Sequence, residues 1–194
     1  MTRSTSSLLG LGLVFCLLLF ATSGLADRMQ RPELVQSKRT ACYARSSYQE
    51  LAEKWRAYHQ QLPSAEAYGN WMRAARYAGD PEYLPLLAEG LARYSDDPML
   101  LYLTGERRHG AHDDSTGRRY LERAAAADPS FLEPWFSLVS HYLDQEDDEK
   151  LGQALKHLLD GDAIQAEVME YSYNMLAGLA KNAILITNGD NDTY

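Results

Sequence analysis

The chain has 194 residues, of which 45% are hydrophobic and 24% charged, a balance that suits one globular domain or a short repeat array with an appendage. A formal net charge of −8 argues against a general nucleic-acid binder, because no basic excess exists to displace counterions from phosphate.

Residues 1–26 read as a secretory signal peptide. Arg3 and the amino terminus supply positive charge, and Leu8 to Ala21 is mostly apolar but short and weakly flanked for a membrane span. Gly24 and Ala26 occupy the small −3 and −1 positions, so cleavage is expected before Asp27. Phe15, in place of a small residue before Cys16, speaks against a lipoprotein; the alternative is an uncleaved amino-terminal anchor. The expectation is export, to the periplasm or beyond the cell, with no stable membrane span after cleavage. Cleavage leaves Cys42 alone, hence a buried thiol or an intermolecular bridge, and its apolar-periodic surroundings favour the buried thiol.

The mature chain reads as helices throughout. Arg31 to Ala44 is expected to be helical, with Pro32 in the first turn. Ser46-Ser47 is expected to cap a helix from Tyr48 to Gln61, with Leu51, Trp55 and Tyr58 as its apolar stripe and Pro63 beyond its end. Ser64 opens the next helix, whose buried face is Tyr68, Trp71 and Ala75, and Gly79-Asp80-Pro81 turns the chain. Leu84, Ala88 and Leu91 carry the return. Leu101, Thr104, Gly105 and Arg108 then start another pair, with His109 to Thr116 as its turn and Gly117, Leu121 and Ala124 as its return. Trp135, Leu138 and Tyr142 share one helical face, and Leu151, Leu155 and Leu158 follow after the acidic turn Asp144 to Glu149.

These elements repeat. Tyr68, Leu101 and Trp135 are separated by 33 and 34 residues, Leu34 stands 34 before Tyr68, and Met169 stands 34 after Trp135. Leu51/Trp55/Tyr58, Gly117/Leu121/Ala124 and Leu151/Leu155/Leu158 keep one internal spacing relative to Pro63, Pro129 and Ala163. With Trp135, Leu138 and Tyr142 followed by the second ladder, the chain resembles the tetratricopeptide repeat, W-x2-L-G-x2-Y then A-x3-F and a closing Pro. Val139 stands at the Gly of that pattern and Leu151 at its small residue. The fold class expected is all-α, a helix-turn-helix repeat solenoid over residues 27–165, with an irregular helical bundle as the alternative. Gly105, Gly117 and Ala124 would let paired helices approach closely.

Residues 166–194 differ in character. Glu167 to Leu179 is expected to form one more helix, and Ala183 to Thr187 a short strand, which no other strand in the sequence could pair. Tyr173-Asn174-Met175-Leu176 and the run from Asn182 to Tyr194 resemble a segment of the DUF2723 family of large bacterial membrane proteins, which are glycosyltransferase-like. That resemblance implies a chain cut from a following α/β region.

Candidate chemistry is sparse. Asp190-Asn191-Asp192 after a hydrophobic strand has the form of a D-x-D element, in which two carboxylates hold Mg²⁺ or Mn²⁺ against a diphosphate; the plain alternative is a solvated turn. His109, His112, Asp113 and Asp114 offer metal-competent groups in what is first an inter-helix turn. No G-x-S-x-G, Walker A or H-E-x-x-H pattern occurs, so no catalytic residue and no firm cofactor is named. The repeat resemblance implies a concave groove lined by Arg73, Arg76 and Tyr77, then Tyr102, Glu106 and His109, then Phe136 and Ser140. The expected function is an exported module binding a protein or peptide. The competing expectation is the amino-terminal part of a truncated glycosyltransferase-like enzyme.

Overall fold

A computed structural model of the chain describes residues 30–108 and 114–186. Among these residues every regular element is an α-helix, eight in all, and no strand forms. They are α1 (Arg45–Gln61), α2 (Ala65–Ala78), α3 (Tyr83–Arg93), α4 (Pro98–Arg108), α5 (Asp114–Ala127), α6 (Glu133–Asp144), α7 (Asp148–Asp160) and α8 (Ala166–Ala177). Among the described residues no helix is long and apolar enough to cross a membrane. The chain divides into two compact units between Leu86 and Leu87, inside α3.

In the first unit α1 packs on α2. The core of α1 is Tyr48, Ala52, Trp55 and His59; Leu51 and Tyr58 of the expected stripe are only half-buried. The shift is about one residue round the helix, set by the face that packs on α2. The helix also starts earlier than expected, at Arg45, with Ala44 as N-cap and no side-chain cap bond. Arg45 instead reaches the end of α2, where Nε donates to the Ala78 carbonyl at 2.6 Å and Nη2 to that of Gly79 at 3.3 Å. A guanidinium at a helix C-terminus satisfies orphan carbonyls and meets the negative end of the dipole.

Helix α2 begins as its sequence predicts. The Ser64 hydroxyl accepts from the Ala67 amide at 3.2 Å, and Gly79 closes the helix at φ 66°, a left-handed conformation that a Cβ would strain. Tyr68, Trp71 and Ala75 are buried as expected, and so is every residue from Ala67 to Ala75. The Tyr68 hydroxyl donates to the Leu86 carbonyl at 2.7 Å, tying the start of α3 to α2.

In the second unit α4 packs on α5, α5 on α6 and α6 on α7. Gly105, Gly117 and Ala124 are all buried, and a Cβ at Gly105 would come within 2.7 Å of Leu121 and 3.0 Å of the Gly117 carbonyl. Close approach of α4 and α5 therefore depends on that glycine. In the α6–α7 pair, Leu138, Tyr142, Ala154 and Leu158 are buried; Trp135 and Leu151 are half-buried and Leu155 lies at the surface. The acidic turn is tight, with Glu146 left-handed at φ 55°, and Asp147 caps α7 by accepting from the Lys150 amide at 3.1 Å.

Five expectations are corrected. Residues 31–44 are not a helix but an extended stretch with one turn, in which the Thr40 and Ala41 amides donate to the Ser37 carbonyl at 3.0 and 2.9 Å. Without a helix there, Cys42 has no apolar face to join; it is exposed, its thiol donating to the Lys38 carbonyl at 3.4 Å. In α3 the buried residues are Leu87 and Gly90, while Leu84 and Ala88 are exposed, because an apolar arc this broad does not orient itself by period alone. Helix α5 starts at Asp114, so Asp114, Ser115 and Thr116 of the expected polar turn are helical. Residues 183–186 form no strand and Ile184 and Ile186 are exposed, since the described residues hold no second strand to pair with them and the Ala183 amide donates instead to the Ala180 carbonyl at 3.0 Å; Thr187 to Tyr194 lie outside the described residues.

Candidate functional site

The first unit carries an arrangement that repeat spacing alone does not announce. The stretch from Arg31 to Lys38 runs extended along the α1–α2 hairpin and is held by side chains that bond its backbone. Trp55 Nε1 donates to the Glu33 carbonyl at 2.9 Å. Asn70 Oδ1 accepts from the Val35 amide at 3.2 Å, and Arg73 Nη1 donates to the Val35 carbonyl at 3.1 Å. One residue thus has both backbone groups read by two side chains one helical turn apart on α2. The Asn70 amide is itself oriented, since Nδ2 donates to the Glu66 carbonyl one turn back at 3.0 Å.

Around this clamp lie three side-chain subsites. The Val35 side chain is buried, while Leu34 beside it is 54% exposed, as period-two alternation of an extended chain requires. Arg31 pairs with Glu66 in the first turn of α2, an exposed ion pair. The Lys38 ammonium stands 5.3 Å from the Tyr48 ring centroid and 4.8 Å from that of Tyr77, and these two rings meet edge-on at 5.1 Å. Two π-faces turned to one cation form a partial aromatic cage. The Lys38 amide also donates to the Tyr77 hydroxyl, at 3.5 Å. Beyond it the Tyr48 hydroxyl accepts from the Tyr43 amide at 3.2 Å and donates to the Ala41 carbonyl at 3.4 Å.

Of the residues expected to line a groove, Arg73 and Tyr77 are therefore brought together on one extended segment. Arg76 is half-buried in the last turn of α2. In the second unit Tyr102 is buried with its ring edge-on to Phe131 at 5.3 Å, Glu106 accepts from the Ser137 hydroxyl of α6, and Phe136 and Ser140 are half-buried. His109 lies outside the described residues, as do His112, Asp113, Asp190 and Asp192. Among the described residues no group of three or more His, Cys, Asp or Glu side chains is placed to hold a metal ion.

Sequence reasoning missed Asn70, Trp55, Tyr48 and Glu66. A signal existed for Asn70: it lies four residues after Glu66 and three before Arg73, which puts the three polar side chains on one face of α2. The period relating α2 to α4 and α6 puts Leu103 and Glu106, then Ser137 and Ser140, where α2 has Asn70 and Arg73. The clamp is thus confined to α2.

Two other places are polar without being sites of this kind. A cleft of about 250 Å³ beside α1 is lined by Arg45, Gln49, Glu53, Arg56, Trp71 and Asp80, with the Arg56 guanidinium 5.6 Å from the Trp71 ring centroid. Its charges alternate rather than converge. The Tyr142 hydroxyl of α6 donates to Glu122 Oε1 of α5 at 3.2 Å, and its pKa is pushed up to about 12, first by burial and then by the Glu122 charge. Arg118 and Lys150 flank the same carboxylate at 3.8 and 4.0 Å. This cluster joins three helices and holds its phenol neutral.

Comparison with models of known protein families and with curated proteins finds no match to this chain.

Proposed function

We propose that the chain is an exported module of tetratricopeptide-like helical hairpins that binds a protein or peptide and carries no catalytic site of its own. The observation that supports this reading is the Asn70–Arg73 clamp, which bonds both backbone groups of Val35 in an extended stretch of chain. Side chains that satisfy backbone N–H and C=O while leaving side-chain pockets to either side are the chemistry of peptide recognition. The spacing of 33 and 34 residues and the buried small residues Gly105, Gly117 and Ala124 support the repeat reading. Export rests on residues 1–26, and an intact mass of the mature protein beginning at Asp27 would bear it out.

Binding is tested by panning displayed random decapeptides against the purified chain. Enrichment of a shared pattern, lost in an Arg73→Glu plus Tyr77→Ala variant of unchanged helical circular dichroism, is the expected result. Failure of any peptide to enrich overturns the module reading.

A further inference from the structure

We infer that residues 31–38 are a releasable strap occupying the clamp in cis, and that the clamp selects an extended partner segment of the same chemistry: arginine, an aliphatic residue four positions on, and lysine three further. This inference rests on the peptide-binding reading above and states what gates it and what it prefers.

The strap is built like a ligand rather than like core. From Arg31 to Lys38 only Val35 is buried; Pro32 and Ser37 are half-buried and the remainder exposed. Its backbone is attached to the hairpin by bonds with side chains of α1 and α2 at Glu33, Val35 and Lys38. Such bonds read no sequence, so any extended segment could make them. Sequence enters at three points, and they differ in weight. The Val35 side chain is buried and ranks first, the Lys38 position between Tyr48 and Tyr77 second, and the exposed Arg31–Glu66 pair, screened by salt, last.

Release is favoured by the same features. A segment with one buried apolar side chain and mostly exposed neighbours belongs to the part of a fold that opens most readily. Occupancy in cis is maintained by tethering: residues 39–44 join the strap directly to α1, and a short tether gives an effective concentration on the order of millimolar. A separate partner therefore competes against the strap, and weakening the strap raises its apparent affinity.

The test uses the full chain, a Val35→Asp variant, and a fluorescein-labelled peptide of residues 30–40 as probe, read by anisotropy. Expected is binding to the Val35→Asp chain at least tenfold tighter than to the unaltered one, with Asn70→Ala added to Val35→Asp removing the gain. In the probe, aspartate in place of its valine should weaken binding most, glutamate for its lysine less, and glutamate for its arginine least. Saturable binding of equal strength to both chains overturns the strap while leaving peptide binding intact. Absence of binding to a Val35→Asp chain that keeps its helical circular dichroism also overturns it. Dimerisation of the unaltered chain that the probe reverses would make the occupant a second copy and overturn assignment to a separate partner. Hydrogen exchange on the unaltered chain needs no ligand and no folded variant: the Val35 amide should exchange through an opening well below that of the Trp55 and Trp71 amides. Equal protection would make the strap a fixed part of the core.

Discussion

Helices α2 and α8 have similar apolar content and opposite surroundings. From Ala67 to Ala75 every residue of α2 is buried, whereas α8 has no buried residue at all, with Tyr171 69% and Tyr173 71% exposed. Val168, Tyr171 and Met175 of α8 fall at helical spacing as the apolar residues of α2 do, while Leu179, expected on the same face, lies beyond the helix end at Ala177. Periodicity thus states which residues would share a face and leaves open what covers it. For α2 the cover includes α1 and an extended stretch whose sequence predicts a helix.

The contrast can be broken most directly at Trp55, fully buried beneath the strap with its indole nitrogen bonded to Glu33. Trp55→Ala is expected to lower unfolding stability by about 3–5 kcal/mol in urea. Tyr171→Ala in α8 should stay within about 0.5 kcal/mol. Comparable losses at both would mean that α8 is covered in solution.

Asn70→Ala sharpens the same comparison on the backbone side. It leaves the buried Val35 amide without its acceptor, and a loss of about 1–3 kcal/mol is expected, measured by chemical denaturation. Glycines give a matched pair in the second unit. Gly105→Ala should destabilise by about 1–3 kcal/mol, because its Cβ would stand 2.7 Å from Leu121. Gly152→Ala in α7, where a Cβ meets nothing within 4 Å, should instead stabilise by roughly 0.5–1 kcal/mol through helix propensity. A loss at Gly152 would show a contact on that face of α7.

A further expected effect is one of pH. The Tyr142 phenol ionises near 10 when unfolded and at about 12 when folded, so the unfolded state releases its proton first as pH rises. Its contribution to stability is complete below pH 10 and declines toward pH 12. Thermal unfolding scanned from pH 9 upward should fall less steeply for Tyr142→Phe than for the unaltered chain, and parallel curves would remove the Glu122–Tyr142 bond as the cause.

Much of this was legible residue by residue. Ser64 and Gly79 announced the ends of α2 through a hydroxyl acceptor and a left-handed turn, both local properties of the chain. Gly105, Gly117 and Ala124 announced a close helix approach, which their burial bears out. The candidate site was legible only by halves. Arg73 and Tyr77 were named from the face they share, but Asn70 and Trp55 stand 35 and 22 residues from the strap residues they bond, and meet them only in space.

The sequence by itself determined a predominantly helical chain, several of the places where its helices turn, and the small residues on which one close helix pair depends. Each of these follows from interactions within a few residues or from a period that one helix can carry alone. Tertiary structure decided which apolar face is covered, and that residues 31–44 are extended rather than helical. Local propensity allowed a helix there; the bonds from Val35 to Asn70 and Arg73 oppose it by taking the amide and carbonyl that helical hydrogen bonds would require.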